Sequence, residues 1–369
     1  MVQFDDSLDI KDTLARIATQ LEKTWKDKKI PCLSAAIVYD QSTIWTDSYG
    51  NENLKQETPA TSQTLYAVGS ITKSITATAM MNLRDAGKLQ LDDPLNKYLP
   101  DFKVRSQLRN NRQPTLRQVL AHVSGLPSEA PLEYRETLNW PPIEEILGSI
   151  QDIELIAAPQ TKFQYSNLGY ALLGHIIENI SGQSYAEYVN SCIFEPLGMK
   201  NSTFEDLWGC HNNPGVTLGY AGDEGEPPEP YIPPLDSLRG FIPAGGLWST
   251  VEDMARFISF QFSEGSVSGK QVLSYSTLTE MHAPVFVFSD WSGGWAIGWK
   301  VEPVGGHTTV RFEGSLAGFQ ARIQFIPALK IGMVLLSNRF IGVEKMWPIV
   351  HSALEHLIPP VKNTLATGV

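Results

Sequence analysis

The chain has 369 residues, more than one compact domain usually holds, of which 42% are hydrophobic and 19% charged. That composition buries a substantial core and excludes a disordered, collagen-like or simple coiled-coil protein. Lys plus Arg (29) against Asp plus Glu (40) leave a net charge of −11 with no basic run, which argues against nucleic acid and anionic membrane as partners.

Met1-Val2-Gln3-Phe4-Asp5-Asp6 is acidic where a secretory signal is basic and then apolar, and no apolar run reaches bilayer length. The expected location is cytoplasmic. Ile10, Leu14, Ile17, Leu21 and Trp25 recur at spacings of three and four, an amphipathic helix. Residues 33–39 and 43–49 read as two strands joined around Asp40-Gln41-Ser42. Helical periodicity then dominates residues 115–123, 143–150, 168–180 and 185–193. Residues 222–234 form a Pro-, Gly- and acid-rich loop holding Asp223, Glu224, Glu226 and Glu229, read as a solvated surface loop. A helix resumes over 249–262, with Ser249 or Thr250 as N-cap. Residues 321–325 and 331–336, with a turn at 327–330, are a second hairpin. Strand pairs at both ends predict an α/β fold: one antiparallel sheet flanked by helices, from residues 1–95 together with 245–369, and a mostly helical domain over 96–244.

Gly69-Ser70-Ile71-Thr72-Lys73 opens a helix through Ile75, Ala79, Met80 and Leu83. Residues three apart share a helix face, so Ser70 and Lys73 point into one space. A hydroxyl is a weak nucleophile until a base takes its proton, and a lysine kept neutral by burial is such a base. A helix start also offers free N–H groups to a developing oxyanion. Ser-x-x-Lys arises by chance roughly once in a chain of this length, so position is what raises it above noise.

Tyr-x-Asn occurs three times, beginning at Tyr49, Tyr165 and Tyr188. The first ends a strand and the third lies within an amphipathic helix. Tyr165-Ser166-Asn167 stands at a loop-to-helix junction and is the one chosen. A lysine ammonium nearby is expected to lower the pKa of its phenol.

Seven histidines show no metal-binding spacing, and three scattered cysteines (Cys32, Cys192, Cys210) form neither a metal site nor a disulfide framework. Neither a metal nor a cofactor is expected. His122 reads as a satisfied buried histidine. Trp291, Trp295 and Trp299 read first as packing and second as walls of an acyl pocket.

With these residues in place, the chain resembles the serine β-lactamase-related hydrolases, of the class C β-lactamase and penicillin-binding-protein fold. Ser70-Ile71-Thr72-Lys73 and Tyr165-Ser166-Asn167 match the family's first two motifs. Leu120-Ala121-His122-Val123-Ser124-Gly125-Leu126 looks like its L-x-H-x-S-G-L segment, and Ala244-Gly245-Gly246-Leu247-Trp248-Ser249-Thr250 like its A-G-G-L-x-S-T segment. The third motif, K-T-G or H-x-G in relatives, falls on Phe312-Glu313-Gly314. Gly314 fits, whereas Phe312 replaces the cation that grips a substrate carboxylate, and Glu313 is expected to repel one. An aromatic residue here resembles the W-x-G version of family esterases and acyltransferases. His307, five residues upstream, is the alternative source of the cation.

The resemblance implies a serine esterase or acyltransferase that forms an acyl-Ser70 intermediate on a small-molecule ester or thioester. Lys73 and Tyr165 would share general-base work, Asn167 would hold Lys73, and the N–H groups of Ser70 and Ser315 would form the oxyanion hole. Substrate contacts fall to Phe312, Glu313 and Gly314. One alternative is a D-amino-acid peptidase or β-lactamase. The other is a non-hydrolytic member of the fold that binds or cyclises a small metabolite. The oligomeric state stays open.

Overall fold

The computed structural model describes residues 10–367 except 103–112, 135–138, 151–152, 211–212, 223–225, 232–237, 264–265 and 268–269. Asp223 and Glu224 of the acidic loop therefore lie outside the described residues. Two of the loop's remaining residues, Glu229–Pro230, pair with Tyr220–Ala221.

The strands expected at the two chain ends meet in one antiparallel sheet. Its members are β1 (Cys32–Tyr39), β2 (Ser42–Asn53), β3 (Thr58–Pro59), β4 (Phe286–Val287), β5 (Gly294–Trp295), β6 (Lys300–Val304), β7 (His307–Leu316), β8 (Phe319–Ile326) and β9 (Ile331–Ser337). The order is β4-β5-β6-β7-β8-β9-β1-β2-β3. The first hairpin and the last lie side by side, β1 against β9, in register from Leu33↔Ser337 to Tyr39↔Ile331. Their turns also touch: Lys330 Nζ lies 2.9 Å from Asp40 Oδ1, and the Asp40 N–H donates to the Lys330 carbonyl at 2.7 Å.

Alternation sorts the side chains of these strands to two faces. Leu33, Ala35, Ile37, Met333 and Leu335 face a core covered by helices α1 (Ile10–Asp27) and α5 (Val343–Thr367). Cys32, Ala36, Val38, Val334 and Leu336 face the larger core, which holds helices α2 (Thr72–Asp85), α3 (Asn167–Ser181) and α4 (Val251–Gln261). Thr250 is the N-cap of α4, its side chain accepting from the Asp253 N–H at 3.1 Å. Burying both faces explains why β9 reads as a near-continuous apolar run, while β8 alternates apolar residues with the buried polar Gln320, Arg322 and Gln324. Among the described residues no helix is long and apolar enough to cross a membrane.

What positions the site is an early end to one strand pairing. β6 stops at Lys300↔Arg311, while β7 continues along β8 to Leu316↔Phe319. Residues 312–316 are thus left without β6 as a neighbour, and the turn before α2 packs against them.

Candidate active site

That turn is built on glycine. Gly69 has φ +54°, and a Cβ there would stand 2.9 Å from the Ser315 N. A Cβ on Gly314 would collide with the Val68 carbonyl oxygen and stand 2.9 Å from the Ser70 N. Two backbones approach this closely only where both residues lack side chains. Thr72 Oγ1 donates to the Gly69 carbonyl at 2.6 Å and accepts from the Leu247 N–H at 3.1 Å. The Ala244–Thr250 segment is thereby stitched to the start of α2, where Tyr66–Ala67 also pairs with Trp248–Ser249.

Lys73 is fully buried, its Nζ 3.2 Å from Ser70 Oγ and 2.6 Å from the carbonyl oxygen of Ala244. Burial pushes its pKa down to about 7, against the opposing pull of the Glu129 carboxylate. The ammonium also sits over two aromatic rings, 4.8 Å from the centroid of Tyr165 and 5.6 Å from that of Tyr170.

Tyr165 immediately precedes Ser166, the N-cap of α3, whose Oγ accepts from the Gly169 N–H at 2.9 Å. The other two Tyr-x-Asn tyrosines are engaged elsewhere. Tyr49 stacks on Trp25 and donates to Asp47, and Tyr188 donates to Asn82. The phenol of Tyr165 departs from the expected direction. Burial pushes its pKa up, with Ser70 pulling the other way and the Glu313 and Glu129 carboxylates adding to the rise. The lysine's charge was expected to lower it, but desolvation wins, and Tyr165 is a neutral phenol at physiological pH.

Asn167 also works differently from expectation. Its Nδ2 donates to Glu129 Oε1 at 2.6 Å, while the bonds of Lys73 go to Ser70 and Ala244. Glu129, which Asn167 holds, is the group that acts on Lys73 through its charge. Glu129 itself escaped the sequence reading, because nothing in its local pattern marks it. It is placed by Ser128, whose carbonyl accepts from the N–H groups of Asn167 and Leu168 at 2.7 and 3.1 Å.

Ser70, Tyr165, Phe312, Glu313 and Ser315 line one cavity of about 370 Å³, together with Phe163, Trp295, Lys300 and Arg311. Phe163 stacks on Trp295 at 4.9 Å, and Trp295 meets Phe312 edge-on at 5.6 Å. Of the three candidate tryptophans only Trp295 is a wall. Trp291 is 82% exposed, and Trp299 packs among Phe257 and Phe325 in the core.

The expectation that Glu313 repels an anion is revised. Its Oε2 accepts from the Trp347 Nε1–H at 2.6 Å and lies 3.7 Å from Arg311 and 3.8 Å from Arg322, so its charge is compensated. Two cations line the cavity as well, and both are tied. Lys300 Nζ lies 3.0 Å from Glu302 Oε2, and the Arg311 guanidinium pairs with the same carboxylate. Burial works against the Glu302 charge, yet His351, Arg311 and Lys300 together hold it well below the usual carboxylate range. His307 is not the missing cation. It opens β7 opposite Val304, five residues and roughly 16 Å from Phe312 at the rise of a strand.

A family model described as Beta-lactamase matches residues 17–354. The chain belongs to the β-lactamase family. It is 30% identical over 354 residues to Beta-lactamase-like protein 2 of Dictyostelium discoideum, covering 94% of this chain and 62% of that protein's length. Among solved structures it is similar to the octameric penicillin-binding protein homologue from Pyrococcus abyssi, with TM-score 0.80 and 29% identity over 94% of this chain and 77% of that one. A class C β-lactamase from Rhodobacter sphaeroides shares the fold, with TM-score 0.75 and 21% identity over 93% and 99% of the two chains. The α/β expectation is thus met by both the sheet and its structural neighbours.

Proposed function

We propose that this β-lactamase-family chain is a serine esterase or acyltransferase that acts on a small-molecule ester or thioester through an acyl-Ser70 intermediate. Neutral Lys73 takes the proton of Ser70 Oγ as that oxygen attacks the carbonyl carbon. The carbonyl oxygen becomes an oxyanion and is met by the N–H groups of Ser70 and Ser315. Collapse expels the alcohol or thiol. The Tyr165 phenol gives it a proton and is reprotonated from Lys73. Water or an acceptor alcohol then attacks the acyl group, and Ser70 recovers its proton.

The observation that carries this reading is the fully buried Lys73, 3.2 Å from Ser70 Oγ with its pKa pushed down to about 7. Ester chemistry is favoured over amide chemistry by the side chain at position 312. It is a buried ring packed on Trp295, and the two cations of the cavity are already paired with Glu302. The likeness to a penicillin-binding protein homologue keeps the D-amino-acid peptidase or β-lactamase reading as the second one.

Intact-mass spectrometry after exposure to activated esters, thioesters and penicillins separates the two. Retention of a small acyl group from esters, lost in Ser70→Ala, is the expected result. Labelling by penicillins alone would favour the second reading, and ester turnover that survives Ser70→Ala would refute acyl-Ser70 chemistry.

A further inference from the structure

The Leu120–Leu126 segment matches the family yet supplies no group to the chemistry just described, and its one titratable side chain is in an unusual state. His122 is fully buried with φ +58°, a left-handed backbone that non-glycine residues seldom adopt. The Gln164 N–H donates to its carbonyl oxygen at 2.7 Å, and the Ser166 N–H donates to its Nδ1 at 3.1 Å. The two residues flanking Tyr165 in the chain are therefore both bonded to one histidine. The imidazole also stacks on the Tyr165 ring, with centroids 4.3 Å apart and planes 30° from parallel. Behind it stand Tyr170 at 5.1 Å, tilted, and Trp295 at 5.2 Å, edge-on.

With Nδ1 accepting, the neutral ring carries its proton on Nε2, and that atom meets no hydrogen-bond partner among the described residues. A buried polar atom without a partner is a cost that a purely structural position would shed for an apolar residue. Burial holds the pKa of His122 well below its ordinary value, with Lys73 adding to the fall, so the ring stays uncharged beside the lysine.

We propose that His122 is a positioning residue that fixes the phenol of Tyr165 for proton transfer between Lys73 and the leaving group. It does so through its ring stack and its two main-chain bonds. The proposal rests on the acyl-Ser70 reading and names the residue on which the geometry of its proton relay depends. Leu, Phe or Met at this position would fill the same volume but could not accept from the Ser166 N–H.

A double-mutant cycle on the acylation rate tests it. His122→Asn suits a left-handed backbone and keeps a short acceptor but removes the ring. We expect it to slow acylation by an alkyl ester, whose poor leaving group needs a proton, about tenfold with KM nearly unchanged, and to cost less than about twofold in a Tyr165→Phe background. Equal losses in both backgrounds would show a merely structural role and overturn the proposal while leaving the acyl-Ser70 reading intact. A Tyr165→Phe variant as fast as the parent would overturn the relay and this proposal together. His122→Gln, run through the same cycle, decides the matter if His122→Asn does not fold.

Discussion

Lys73 donates a 2.6 Å hydrogen bond to the carbonyl oxygen of Ala244, a residue 171 positions further along the chain. Ser70 Oγ lies 3.2 Å from the same nitrogen. Two partners suit a neutral amine, which can give one N–H to the carbonyl and turn its lone pair to the serine hydroxyl. Either form leaves one N–H unmet with these two partners, and in a buried space that costs more for a charged ammonium than for a neutral amine. The Ala-Gly-Gly-Leu segment thereby acquires a physical role, for it supplies the carbonyl that aims the lysine.

The acylation rate is expected to rise through a pH of about 7, the value to which burial pushes Lys73, and then to level off. Only the neutral amine can accept the serine proton, so the limb ascends with pH. Single-turnover acylation by a neutral ester between pH 5 and 10 checks this. A rate that still climbed about tenfold per unit above pH 8.5 would point to an unperturbed lysine, whose pKa is about 10.4.

The same shift has a stability signature. The folded pKa of Lys73 lies below its unfolded value, so between about 7 and 10.5 the unfolded chain binds more protons than the folded one. Stability therefore rises with pH across that window, and the full cost of burying the charge is present below it. Lys73→Met lacks the titration. Its stability relative to the parent is expected to be highest near pH 6 to 7 and to decline towards pH 10. Urea midpoints at three pH values would show it, and a difference independent of pH would contradict the buried-lysine account.

Gly314→Ala should separate folding from function. A Cβ at that position collides with the Val68 carbonyl oxygen and crowds the Ser70 N, so β7 and the turn before α2 must part. Overpacking of this kind costs about 1–3 kcal/mol, enough to weaken a marginally stable chain without unfolding it. Covalent labelling of Ser70 is expected to fall by at least about a hundredfold, because the two N–H groups assigned to the oxyanion no longer converge. Near-parental labelling would show that the close approach is dispensable.

Short apolar runs bounded by turn residues placed both terminal hairpins, and the residues of β1 do face two different cores. Ser-x-x-Lys was legible for the same kind of reason: a spacing of three is a local relation, and the helical turn Gly69–Ile71 that runs into α2 keeps it. What stayed hidden depends on contacts between distant segments. Nothing near Glu129 foretells its bond to Asn167, which forms only because α3 docks on Ser128. The direction of the Tyr165 shift was misjudged because charge could be read from neighbours in a motif, while the degree of burial could not. Glu313 looked like a bare acid until Arg322 on β8 and Trp347 on α5 were brought beside it.

The last prediction concerns the residue where the third motif departs from its relatives. Phe312 is 3% exposed and packs edge-on against Trp295, so it offers a substrate carboxylate no donor. Lys300 and Arg311 stand close by, but a substrate anion would have to displace Glu302, which both cations already hold. Neutral p-nitrophenyl esters of short acids should therefore have a higher kcat/KM than penicillins or D-alanyl peptides. Phe312→Lys reverses the local chemistry. A charge-assisted hydrogen bond contributes about 1.5–3 kcal/mol, which corresponds to roughly ten- to a hundredfold in kcat/KM for a carboxylate-bearing β-lactam. The neutral ester should gain nothing, and it should lose whatever packing its alcohol or acyl group made with the ring. The variant also removes a buried aromatic side chain, so its unfolding midpoint is expected to fall, and kinetics belong well below that temperature. Two outcomes would defeat the argument: a parent enzyme that already prefers the β-lactam, or a Phe312→Lys variant that leaves the ratio of the two substrates unmoved.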